Sequence, residues 1–167
     1  MITPGRFAVV SSADNPADLE ALAACAGALA EGIERALPGW VERSVRERAG
    51  GERGDLVPAA AAAGRAAAAA VGPVVRALLA LDVDAQRVNP LEVVRGAVRF
   101  PTAVLAEAGV APLGRDEVRV RLFPDDAYDL APATFADLDP DLGSAGIAWG
   151  AAKAHVILAR RRSEGRR

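Results

Sequence analysis

The one lysine in the chain, Lys153, stands in an apolar stretch that runs from Ile147 toward Arg160. Six aspartates precede it in a proline-punctuated segment: Asp125, Asp126, Asp129, Asp137, Asp139 and Asp141. An ammonium on an apolar helix face needs a carboxylate partner or must give up its charge. Asp125, Asp126 and Lys153 are therefore candidate ligand-binding residues, making the polar contacts of a pocket between the acidic segment and the last helix. Arg95 and Arg99, four apart on one helix face, extend that candidate site as an anchor for a carboxylate or phosphate. The same residues also have a purely structural reading. Lys153 and an aspartate would then form a buried ion pair that pins the segment to the helix, and the other aspartates would cap turns. Arg95 and Arg99 would pair with Glu92 or the acidic segment.

Other chemistries lack their parts. Asp137-Leu138-Asp139-Pro140-Asp141 alternates acids like the opening of a calcium loop, but Leu142 stands where the loop needs glycine and Ala148 where it needs glutamate. His155 and Cys25 are the chain's whole supply of imidazole and thiol, too few for a zinc site of the usual ligand set. Ser144 lacks a nucleophile-elbow motif, and Gly50-Gly51-Glu52-Arg53-Gly54 lacks the lysine and spacing of a phosphate loop. On a 100° projection Lys153 and His155 point about 160° apart, which separates them into two environments. No catalytic residue, metal or cofactor is expected.

These residues must be positioned by helices. The chain has 167 residues, enough for one domain, and is 51% hydrophobic with much of that alanine, the best helix former. The formal net charge of -2 gives no whole-protein attraction to nucleic acid or anionic membrane. A lone cysteine makes no internal disulfide, and the N-terminus has no signal-peptide apolar run. The longest uncharged apolar run, Ala66 to Val75, is bracketed by Arg65 and Arg76 and falls short of the roughly 20 residues of a membrane span. The expectation is a cytoplasmic protein with no membrane span.

Asn15-Pro16 caps a helix whose Leu19, Leu22, Ala26, Leu29 and Ile33 form one stripe; Pro38-Gly39 is expected to end it. A short charged helix, Trp40 to Ala49, and a flexible loop, 50–55, follow. Val57 to Leu81 is alanine-rich and helical, with Gly72-Pro73 expected to kink or break it. Asn89-Pro90-Leu91-Glu92 is a cap signature, Pro101 an interruption, and Gly109 a terminator. Asp116 to Phe123 alternates as a half-buried strand would, but without an evident partner strand it is read as a short helix. Phe123 to Gly146 is an ordered irregular segment anchored by Phe123, Tyr128, Leu130, Phe135 and Leu138. The last helix, Ile147 to Arg160, is apolar nearly all round, as a central core helix is. The fold expected is all-α: a single helical domain, 1–167, of about six helices, with an N-terminal arm, 1–13, and a basic tail, 161–167.

The run Phe123-Pro124-Asp125-Asp126, Tyr128, Leu130, Pro132, Phe135-Ala136-Asp137-Leu138-Asp139-Pro140 and Trp149-Gly150-Ala151-Ala152-Lys153-Ala154-His155-Val156 resembles a family of small uncharacterised actinobacterial proteins, a resemblance to which Pro90 to Leu105 also conforms. It covers roughly the C-terminal half and implies no activity and no catalytic residue. The sequence thus points to a non-enzymatic helical protein that contacts another protein. The alternative is a small-molecule-binding protein or enzyme using the polar pocket above. A weaker third reading makes the arginine tail from Arg160 a tether for RNA or anionic lipid.

Overall fold

A computed structural model describes residues 14–113 and 121–166, and every regular element among them is helical. The α-helices are α1 (Pro16–Ala49), α2 (Val57–Ala80), α3 (Pro90–Arg95), α4 (Arg99–Glu107) and α5 (Pro140–Glu164). A 3-10 turn, Gly96–Val98, joins α3 and α4 without a break, so among the described residues these five segments make four rods, where about six helices were expected. The arm 1–13 and the ambiguous stretch 116–120 lie outside the described residues.

The expected count fails because three proline signals are overridden. α1 runs through Pro38-Gly39 as one helix of 34 residues. A proline inside a helix costs about 3 kcal/mol. The core face that continuation keeps in line, Leu29, Ile33, Leu37, Trp40 and Val41, is almost wholly buried and offsets that cost. Pro38 also marks the crossing with α2: a Cβ added at Gly64 would come within 2.9 Å of the Pro38 Cα and carbonyl oxygen. α2 likewise continues through Gly72-Pro73. Gly72 faces Glu34, whose Cγ would lie 2.7 Å from an added Cβ, while Pro73 faces outward. Pro101 is buried inside the rod that α3 and α4 form.

Gly50 and Gly51 both take positive φ, +67° and +90°, conformations that glycine alone adopts freely, and turn the chain so that α2 runs back along α1. α5 packs antiparallel on another side of α1, with Leu142 against Gly32 and Arg160 beside Asp14. The rod of α3 and α4 lies across α1 and α2, leaving α1 in the middle. Asn15 and Asn89 cap α1 and α3 by accepting the backbone N–H of Ala17 and Leu91. Gly109, at φ +72°, ends α4.

Two further expectations are corrected. α5 begins at Pro140, seven residues early, because Asp139 caps it by accepting the Asp141 N–H at 2.9 Å. And α5 is peripheral, not central. Its buried residues are Leu142, Trp149 and Val156, whereas Ile147 is 75% exposed and Leu158 49%.

The expectation of no membrane span is also overturned. Gly54–Ala80 and Pro140–Glu164 are each long and apolar enough to cross a bilayer, by length and composition alone. The sequence argument counted only the uncharged run and let Arg65 and Arg76 end it. The helix continues through both, and most of each candidate span is not buried.

Candidate functional site

The acidic segment is organised by its own aspartates. Asp137 Oδ2 accepts the backbone N–H of Ala133 at 2.8 Å and of Thr134 at 2.9 Å, setting the 3-10 turn Phe135–Asp137. That turn seats on α5, where an added Cβ at Gly146 would lie 2.5 Å from the Phe135 ring and one at Gly143 3.2 Å from Ala136. Arg43 of α1 donates to the Leu138 carbonyl at 2.7 Å, and Arg48 to the Asp129 carbonyl at 3.3 Å. Tyr128 is buried and donates its hydroxyl to the Val110 carbonyl at 2.8 Å, tying the segment to the end of α4; burial pushes its phenol pKa up. Of the expected anchors, Tyr128 and Leu138 are buried, Leu130 and Phe135 partly so, and Phe123 is 57% exposed.

The five candidate ligand-binding residues have separate surroundings. Lys153 is half-buried with its Nζ 5.1 Å from the centre of the Trp149 ring. No carboxylate among the described residues forms an ion pair with it. An indole face attracts a cation without a carboxylate, a partner the apolar-stripe argument did not weigh. Asp125 and Asp126 lie exposed in the 3-10 turn Pro124–Asp126. Arg95 donates to the Pro132 carbonyl at 2.9 Å and pairs with Glu92. Arg99 stacks over Phe100, 4.9 Å from the ring centre. Among the described residues no hydrogen bond or ion pair joins Lys153 to Asp125 or Asp126.

The densest cluster of charge is elsewhere and was not anticipated. Arg160, near the end of α5, donates to Asp14 at 2.8 and 3.0 Å, to Asp82 at 2.8 Å from two nitrogens, and to Asp84 at 2.7 Å. One guanidinium thus joins the start of α1, the turn after α2 and the last helix. Its hydrogen bond and the Asp84 backbone N–H hold the Asp82 carboxyl at about 2, below its usual value of 3.8. The carboxylates push the Arg160 pKa up in turn. His155, one turn earlier, has Nε2 3.3 Å from Asp18 of α1. Asp14, Asp82 and Asp84 are thus satisfied by one protein cation. Among the described residues, no group of three or more His, Cys, Asp and Glu is placed to hold a metal ion.

What remains open is apolar. A groove of about 580 Å³ runs between α1 and the end of α2, lined by Leu22, Ala26, Leu79 and Val83 with Arg76 and Asp82 on its rim. A second, about 510 Å³, lies at the opposite end, around Val45, Leu56 and Ala60. None of the five candidate residues lines either groove. The outer faces of α2 and α5 carry alanines with Val57, Val74, Ile147 and Leu158 exposed among them. No family model, curated protein or solved structure matches the chain.

Proposed function

We propose that this protein works by binding another macromolecule through the outer faces of its flanking helices, with no chemistry of its own. One observation carries the reading. Long helices α2 and α5 each turn an unpartnered apolar face outward, while Asp137, Lys153 and Arg160 are engaged in turn-setting, stacking and ion pairs inside the fold. Exposed contiguous apolar surface of this kind marks interaction sites.

The experiment is crosslinking of the full chain, purified and in cell extract, against a variant with one charge in each face, Ala66→Glu with Ala151→Glu. Both positions are exposed, so the fold tolerates them. The expected result is a reproducible crosslinked species that the variant loses. A protein that stays alone under both conditions refutes the reading. Because Gly54–Ala80 and Pro140–Glu164 meet the length of a bilayer span, fractionation of the same cells gives the second reading its test. Chain that leaves the membrane pellet only with detergent would assign these faces to lipid.

A further inference from the structure

We propose that the outer face of α5 is the contact between two copies of this chain, packed antiparallel about a two-fold axis; the proposal rests on the interaction reading above and names its partner. Ile147, Ala151, Ala154 and Leu158 are all exposed, and Ile147 is more open than any other large apolar side chain of the described residues. Their spacing of four, three and four lays them in one stripe along a helix, the seam that a facing helix fills. The stripe lies opposite the buried line of Leu142, Trp149 and Val156, so α5 can offer it without disturbing its packing on α1.

Three features of the stripe fit a second copy in reverse direction. A two-fold contact requires that if one residue meets another, the second also meets the first. The order large, small, small, large satisfies this when the copies run antiparallel. Ile147 then meets Leu158 twice, and Ala151 meets Ala154 twice. The alanines stand at the centre, where short side chains allow the helix axes to approach closely. The ends also complement each other. Asp141 in the first turn of α5 and Arg162 in its last are exposed, and neither has an ionic partner among the described residues. Reversal of one helix brings Asp141 of one copy toward Arg162 of the other on both sides of the axis, and sets each helix dipole against its opposite. Ser144 and Arg162 lie toward this side of the helix, which favours a protein seam with polar ends over a surface facing hydrocarbon.

Sedimentation of the full chain over a wide concentration range tests the proposal. The expected mass at high concentration is twice the 17.2 kDa of one chain. Ile147→Asp and Leu158→Asp, at positions already open to water, should each weaken the pair roughly thirtyfold or more while circular dichroism stays unchanged. Asp141→Lys and Arg162→Glu should each weaken it, and the two together should restore it. Direction is read in a Cys25→Ala background: Ile147→Cys mixed with Leu158→Cys should oxidise to a disulfide, and neither alone should. A single-chain mass at every concentration, a pair indifferent to both aspartate variants, or a disulfide from Ile147→Cys alone overturns the proposal. So does a face whose aspartate variants instead release the chain from vesicles of anionic phospholipid. If the chain is single but its crosslinks to a different protein are lost on Ala151→Glu, the second copy is refuted and the interaction reading stands.

Discussion

Asp14 and Arg160 are separated by 146 positions and meet at 2.8 Å. Asp14 immediately precedes the residue that caps α1, and Arg160 lies in the penultimate turn of α5, so the contact fastens the last helix to the beginning of the first. Asp82 and Asp84 join the same guanidinium from the turn after α2. The planar fork offers five donors in fixed directions, where an ammonium offers three on one compact centre.

Removing that fork leaves three carboxylates beside one another with no cation. Arg160→Ala should therefore lower stability by about 2 kcal/mol, the pairs being only partly shielded from water. Arg160→Lys should recover less than half of the loss. Urea denaturation followed by circular dichroism measures both, and an Arg160→Ala midpoint equal to wild type would contradict the clasp.

The same cluster sets an acid limit. The Asp82 carboxyl is held at about 2 in the folded chain against an ordinary 3.8. A depressed carboxylate contributes its stability fully above the unfolded value and loses it as pH falls through the folded one. Stability should decline between about pH 4 and pH 2, and Asp82→Asn should flatten that part of the profile. Denaturant midpoints across the window decide it. A slope identical in the variant would assign the acid sensitivity to other groups.

Two glycines should respond in opposite directions to the same methyl. At Gly64 an added Cβ meets the backbone of Pro38 at 2.9 Å, so Gly64→Ala should force α1 and α2 apart and cost about 1–3 kcal/mol. Gly150 has nothing within 4 Å and sits mid-helix in α5, so Gly150→Ala should stabilise by about 0.5–1 kcal/mol. Thermal melts of the pair check the helix crossing directly.

Tyr128→Phe removes the donor to the Val110 carbonyl and leaves a stable ring in place. It should cost about 1 kcal/mol and raise hydrogen exchange in 124–130 more than in α1. Uniform exchange across the chain would show that the hydroxyl does not fasten the segment.

Lys153 separates two electrostatic arrangements by magnitude. Over the Trp149 ring it contributes about 0.5–1 kcal/mol, so Lys153→Met should be nearly neutral. Breaking a buried ion pair would cost about 3–5 kcal/mol. A loss of that size on Lys153→Met would mean that a carboxylate, not the indole, holds the amine.

These relationships were unequally legible in the sequence. Asn15-Pro16 and Asn89-Pro90 announce helix starts through the cap and the proline alone, both local effects. Asp139-Pro140 carries the same signal but lies among other aspartates and prolines, and an acidic run draws attention as a ligand set before it is read as a cap. Pro38, Pro73 and Pro101 mislead in the opposite way, since local propensity marks a break that burial of Leu37, Val41 and Val75 outweighs. The all-round apolar character of α5 does not tell a central helix from an edge one, because its period is the same in both. Arg160 was visible only as part of a basic tail. Its three partners come from distant elements, and no spacing within the chain records that they meet.

The middle position of α1 also fixes an order of birth. A chain emerging from the ribosome can pair α1 with α2 across the Gly50-Gly51 turn almost as soon as both exist, and neighbouring partners close quickly. The side of α1 that Leu142, His155 and Arg160 will occupy stays wet until α5 has been made. For that interval the nascent protein carries an uncovered oily flank on its central rod, and a chaperone or a neighbouring nascent chain would meet it there first.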